Sequence, residues 1–106
     1  MITNLTAENF AQTIQSPDPI LVDFWATWCT PCMMQGEVLH AVDEQYPGVQ
    51  IGKVNVDENQ ELAVQFGISV IPTMIVFRDG KAVETINGLR QGDEILALLR
   101  KHGAGV

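Results

Sequence analysis

The sequence has few cysteines, few basic residues and no long apolar run, and each scarcity argues against a class of protein. Two cysteines among 106 residues are too few for the disulfide framework that stabilises small secreted folds. No stretch approaches the roughly 20 apolar residues that a transmembrane helix needs, so we expect no membrane partner. Six basic residues stand against thirteen acidic ones, and this net charge of −7 argues against a nucleic-acid partner.

The length of 106 residues predicts a single domain, residues 1–106, with one hydrophobic core. The first five residues, Met1 to Leu5, show neither the charged nor the apolar region of a signal peptide. We therefore expect a cytoplasmic protein, and we expect it to be a monomer.

The apolar pattern predicts alternating strands and helices. The near-continuous apolar run from Ile20 to Ala26, interrupted by Asp23, is typical of a strand that is covered on both faces. Helices are predicted over 6–15, 31–46, 59–66 and 92–101, and further strands over 49–56, 73–77 and 82–86. In the second helix, Met34, Val38, Val42 and Tyr46 recur at four-residue spacing. Asp79-Gly80 predicts a two-residue hairpin turn between the last two strands, and the whole is a mixed α/β sheet with helices on both faces.

The two cysteines lie three positions apart, at the junction of the first predicted long strand and the helix after it. A Cys29–Cys32 bridge would close a loop of about four residues, which stabilises a fold by only about 2 kcal/mol. A thiolate at a helix N-terminus is favoured by unpaired N–H groups and the helix dipole. Cys29 is thus predicted to be a nucleophile, and Cys32 the residue that resolves a mixed disulfide. Pro31 restricts the turn between them.

Two other uses of a cysteine pair compete with this interpretation. A zinc site needs about four ligands, and only His40 and His102 remain as further candidates, so no metal is expected. Inert structural cysteines are the second alternative. The strand–helix–strand context favours redox chemistry over both.

The run from Val22 to Cys32 resembles the active-site segment of the thioredoxin family, and the likeness continues over nearly the whole chain. It is carried further by Val54–Asp57, Phe66–Ile68, Ile71–Thr73 and Gly88. The resemblance implies the thioredoxin fold, with a five-stranded mixed sheet and four flanking helices. It implies the reduction of protein disulfides by a reversible Cys29–Cys32 couple. It further implies no bound cofactor and electrons from a thioredoxin reductase or another donor.

The resemblance assigns Asp23 as a buried carboxylate beneath the dithiol. Burial would raise the pKa of Asp23, and the side chain would then exchange a proton with Cys32. Lys53 corresponds to a lysine near this carboxylate and is expected to modulate it. An exposed aspartate at a strand edge and an exposed strand lysine are the alternative readings.

The resemblance also predicts a substrate surface around Cys29. Pro72 corresponds to a cis-proline that faces the cysteines, and the backbone of Ile71 would pair with an extended substrate segment. The expected substrate-binding residues are Trp28, Thr30, Pro31, Ile71, Pro72 and Gly88.

Three residues depart from the family pattern. Thr30 stands where glycine is usual, Met33 replaces a lysine, and Glu37 replaces a proline. A shift of about 30 mV in potential requires only about 1.4 kcal/mol. These changes leave open a specialised, partner-specific redox protein with a shifted potential, and a non-catalytic binding module is the alternative from another class.

Overall fold

Five strands and four helices make up the structure, a computed structural model that describes residues 1–106. The strands are β1 (Ile2–Asn4), β2 (Ile20–Trp25), β3 (Gln50–Asn55), β4 (Thr73–Arg78) and β5 (Lys81–Asn87). The helices are α1 (Phe10–Thr13), α2 (Thr30–Gln45), α3 (Gln60–Gln65) and α4 (Gly92–Lys101). None of these helices combines the length and the apolarity that crossing a membrane requires.

The strands form one mixed sheet in the order β1-β3-β2-β4-β5. β3 runs parallel to β1 and β2, whereas β4 is antiparallel to both of its neighbours. β2 is the central strand, and its apolar residues are buried because helices cover both faces of the sheet. The predicted mixed α/β sheet is confirmed.

Side chains of β2 alternate between two separate cores. Leu21 points towards a core shared with α2 and α4, which includes Leu39 and Leu99. Ile20, Val22 and Phe24 point the other way, into a core shared with the α1 and α3 side. Since successive side chains on a strand point to opposite faces, Asp23 lies on the α2 face. The sheet thus presents its one central carboxylate towards the helix that follows β2.

The hairpin of β4 and β5 turns at the predicted dipeptide. Asp79 and Gly80 have φ angles of 53° and 78°, and two successive positive φ angles define the type I′ turn that suits two-residue hairpins. Glycine adopts this conformation without steric cost, and aspartate tolerates it better than most residues do. The hairpin prediction is confirmed.

The N-terminal segment differs from the sequence prediction. Residues 2–4 form the edge strand β1, which the residue pattern does not reveal because three residues are too few for a period. The predicted first helix over 6–15 is reduced to α1, which begins at Phe10 and not at residue 6. Instead, the side chain of Asn9 accepts the N–H of Thr6 at 2.7 Å and stabilises a turn before the helix.

Helix α2 is confirmed, and three residues of the four-residue pattern face the core: Val42 is buried, and Val38 and Tyr46 pack against it at partial burial. Met34 is exposed, whereas Gln35, Gly36 and Leu39 are buried. The helix continues without interruption through Gly36 and Glu37.

Candidate active site

The site begins where β2 ends and α2 starts. Cys29 is the N-cap of α2: its backbone is extended, and its sulfur accepts the N–H of Cys32 at 3.2 Å. Pro31 lies in the first turn of the helix, where its missing N–H needs no intrahelical partner. The N–H of Cys32 therefore points at the sulfur of Cys29, while the N–H of Met33 bonds to the carbonyl of Cys29.

Cys29 and Cys32 are joined by a disulfide, with their Cα atoms 5.2 Å apart. The redox-active pair is thus present in its oxidised form. The two residues differ in exposure, since 6% of Cys29 and 1% of Cys32 are accessible to solvent. They pack with Ala26 and lie against Trp25 and Ile71. The disulfide is thus a nearly buried apolar spot, and Cys29 is the more accessible of its two residues.

Asp23 is completely buried, and neither of its carboxylate oxygens has a hydrogen-bond partner. Burial disfavours the charged form and raises the pKa of Asp23 from 3.8 to about 7, although Lys53 opposes the rise. The alternative of an exposed aspartate is wrong. A carboxyl group with this pKa exchanges its proton readily near neutral pH.

Lys53 is the cation that acts on Asp23. The two residues are register partners on the neighbouring parallel strands β3 and β2. The ammonium nitrogen lies 4.6 Å from the ring centroid of Trp25, which is a cation–π contact. Because Lys53 is half-buried, solvent and salt screen its interaction with Asp23 less than they would screen a pair of exposed charges.

Replacing Lys53 with methionine will raise the pKa of Asp23 above its present value of about 7, because the opposing positive charge is lost. A ¹³C NMR titration of the Asp23 carboxyl in the oxidised protein measures this directly. Lys81→Met is the matched control, since it removes an equal charge from an exposed site on β5. Equal pKa values in the two variants would contradict the assigned role of Lys53.

A loop faces the disulfide from the start of β4. The peptide bond between Ile71 and Pro72 is cis, and the carbonyl oxygen of Ile71 lies 3.8 Å from the sulfur of Cys29. The hydroxyl of Thr73 donates to the carbonyl of Val70 at 2.6 Å, which ties the two ends of this loop together. A backbone edge is thus held beside the more exposed sulfur.

Trp28 stands at the rim of the site, with 69% of its surface exposed. Its indole N–H donates to a carboxylate oxygen of Asp57 at 2.8 Å, which fixes the orientation of an otherwise free ring. Beside it lies a groove of about 390 Å³ whose walls include Val56, Val64 and Val70. The surface next to the disulfide is therefore largely apolar.

The remaining sequence candidates lie in the first turn of α2 and in the loop after β5. Thr30 and Pro31 are exposed in the first turn of α2, as is Met33. Gly88 has a φ of 85°, and its N–H donates to the carbonyl of Pro72 at 2.8 Å. The structure thus connects the loop after β5 to the loop before β4.

Two residues of the site were not found from the sequence. Asp57, which holds Trp28, carries no signal beyond its place in a family-like segment. Gln35 is 0% exposed and bonds to the backbone of Arg90. Its one signal is a polar residue three positions after Cys32, in line with the buried residues Leu39 and Val42 of the same helix. No group of three or more His, Cys, Asp or Glu side chains is placed to hold a metal ion.

A disulfide at the N-terminus of the helix that follows the central strand, with a buried carboxyl group on the face of that strand which the helix covers, is the arrangement of a thiol–disulfide oxidoreductase. Comparison with known proteins agrees with this class. The thioredoxin family model matches residues 1–101, and the chain belongs to the thioredoxin family.

Relatives and solved structures match along almost the full length. The thioredoxin of Alicyclobacillus acidocaldarius subsp. acidocaldarius is 46% identical over 96 residues, covering 90% of this chain and 91% of its own. That of Chlamydia caviae is 41% identical over 102 residues, covering 96% and 99%. The structure of a mutant thioredoxin from Halobacterium salinarum NRC-1 superposes with a TM-score of 0.88 at 32% identity, covering 99% and 93%. Malassezia sympodialis thioredoxin gives 0.86 at 31%, covering 97% and 94%.

Proposed function

We propose that the chain reduces protein disulfides and that Cys29 makes the first attack. The hydrogen bond from the Cys32 N–H to the Cys29 sulfur carries this proposal, because the same N–H stabilises a thiolate at that position once the pair is reduced. The higher exposure of Cys29 supports the same order. Its thiolate bonds to one substrate sulfur, and the other substrate sulfur leaves as a thiolate.

The second step regenerates the protein disulfide. The Cys32 thiol gives its proton to the Asp23 carboxylate, and the resulting thiolate attacks the sulfur of Cys29. The bond between Cys29 and the substrate breaks, so the second substrate sulfur leaves with both electrons of that bond. A pKa of about 7 supports this role, because Asp23 then accepts and returns protons near neutral pH. Lys53 modulates the transfer by favouring the charged carboxylate.

The substrate docks as an extended segment along the loop that faces the disulfide. The position of the Ile71 carbonyl, 3.8 Å from the sulfur of Cys29, supports pairing of this backbone with a substrate strand. An exposed, oriented Trp28 supplies apolar contact at the rim. The complete proposed surface consists of Trp28, Thr30, Pro31, Ile71, Pro72 and Gly88.

The partners follow from this chemistry. The oxidised protein has to receive two electrons, and a thioredoxin reductase or a donor of the same class supplies them. We further propose that residues 1–106 act as a single domain in a cytoplasmic monomer, with no bound cofactor beyond the disulfide and with neither nucleic acid nor membrane as a partner. The net charge of −7 supports the exclusion of nucleic acid.

An insulin-reduction assay tests the proposal. With dithiothreitol as electron source, the wild type will speed the precipitation of reduced insulin chains, whereas the Cys29→Ser/Cys32→Ser variant will not. A wild-type rate equal to that of the double variant would contradict the proposed function. A second assay with NADPH and thioredoxin reductase identifies the donor. Nothing in the site favours a pure binding module, since a scaffold requires neither the disulfide nor a buried carboxyl group.

A further inference from the structure

Gln35 lies in the second turn of α2 and is completely buried. Its side-chain amide makes two hydrogen bonds to one distant residue: its N–H donates to the carbonyl of Arg90 at 3.0 Å, and its oxygen accepts the N–H of Arg90 at 2.8 Å. Arg90 lies 55 positions further along the chain, in the loop between β5 and α4. The amide thus pairs with that loop as a neighbouring strand would.

The pairing is unusual for its location. Other buried residues of α2, such as Leu39 and Val42, meet apolar partners. An amide in such surroundings is tolerated when its donor and its acceptor are both bonded, and each has a partner here. The loop is stabilised in the same way, because the N–H and the carbonyl of Arg90 both have a hydrogen-bond partner. An apolar side chain of the same length would fill the space at position 35 equally well, so packing alone does not require glutamine there.

The loop that Gln35 holds forms part of the proposed substrate surface. Its first residue, Gly88, donates to the carbonyl of Pro72, and the side-chain amide of Asn87 lies 2.9 Å from the hydroxyl oxygen of Thr73. These bonds fix the β5 end of the loop to the segment that faces Cys29. Gln35 fixes the other end to the helix that carries the disulfide.

We propose that Gln35 is a positioning residue that sets the affinity for protein substrates by holding the Gly88–Arg90 loop beside the disulfide. This inference rests on the proposed function and deepens it. A protein segment laid along Ile71 has the loop at its side and needs it at a fixed distance. A small disulfide reaches Cys29 without contact to the loop. Gln35 therefore favours macromolecular over small disulfides and does not alter the chemistry of the dithiol.

The test is a comparison of two substrates in the Gln35→Met variant, which keeps the side-chain length and loses both hydrogen bonds. For insulin, KM will rise roughly tenfold, which is the effect expected when one or two hydrogen bonds that hold the loop are lost. The kcat for insulin will stay within about twofold of the wild-type value. The rate with hydroxyethyl disulfide will not change. Exchange of the Arg90 amide hydrogen will become faster. Gln45→Met, an exposed change on the same helix, is the matched control and will behave as wild type.

A second variant keeps the proposal open to refutation if Gln35→Met folds poorly. A protonated carboxyl group has one O–H donor and one acceptor oxygen, so Gln35→Glu restores both bonds at low pH and loses one at high pH. The ratio of its insulin KM to that of the wild type will therefore fall towards one as the pH is lowered. An unchanged insulin KM in both variants, or an equal loss with the two substrates, would overturn the proposal. A wild type inactive on insulin would instead refute the proposed function.

Discussion

The Cys32→Ser variant will become covalently attached to its substrates and will lose turnover. Cys29 still attacks, because its thiolate keeps the helix N-terminus and the backbone N–H at position 32. The mixed disulfide then persists, since a serine hydroxyl does not exchange with it. Insulin reduction with thioredoxin reductase and NADPH will fall to the rate without the protein. Adducts of one substrate chain per protein will accumulate, and peptide mass spectrometry will place them on Cys29.

The matched control is Cys29→Ser, which leaves only the less exposed sulfur. It will form no adduct, because 1% exposure keeps Cys32 out of reach of a protein substrate. Adducts on Cys32 in this control, at a level similar to those on Cys29, would reverse the proposed order of attack.

Replacing Asp23 with asparagine will remove the part of the pH dependence of the unfolding free energy that comes from burying this carboxyl group. The pKa of Asp23 is raised by burial from 3.8 to about 7, so the folded state holds the proton more tightly than the unfolded chain. This stabilisation is complete below about pH 4 and is lost as the pH rises through 7. A difference of about three pKa units corresponds to about 4 kcal/mol. As the pH rises from about 4 to about 8, the free energy of unfolding of the variant will therefore increase by about 4 kcal/mol relative to that of the wild type.

Urea unfolding of the oxidised proteins at the two ends of this pH range measures the change. Only the change with pH is diagnostic, because an unpaired asparagine amide carries its own burial cost at every pH. A stability difference that does not vary with pH would show that Asp23 has an ordinary pKa. In stopped-flow measurements the same variant will also resolve the mixed disulfide more slowly. Equal rates across neutral pH would remove Asp23 from the proton transfer.

Much of the fold could be predicted because local chemistry and global position agree. The apolar run of β2 is buried on both sides, and Asp79-Gly80 turns a hairpin with the φ angles that these residue types tolerate. The burial of Asp23 could be predicted from its place in that run, because the family resemblance argued against the alternative of an exposed aspartate at a strand edge.

The rest depended on contacts that a linear pattern does not contain. β1 has three residues and is a strand only because β3 offers it an edge. The position of Lys53 beside Asp23 is a matter of strand register. Gln35 has no meaning in the sequence until the backbone of Arg90 is brought against it. Pairings over long separations are set by the assembled sheet and not by local propensity.

The central place of β2 has a consequence for the growing chain. A ribosome adds the two cysteines about 40 residues before it reaches β4, and β2 cannot be enclosed until β4 has been made and paired beside it. Before then Asp23 is in water and no backbone carbonyl faces Cys29. The active site is therefore completed late in synthesis. A nascent chain that already carries both cysteines still lacks the buried carboxyl group and the facing loop, which come only when β4 pairs with β2.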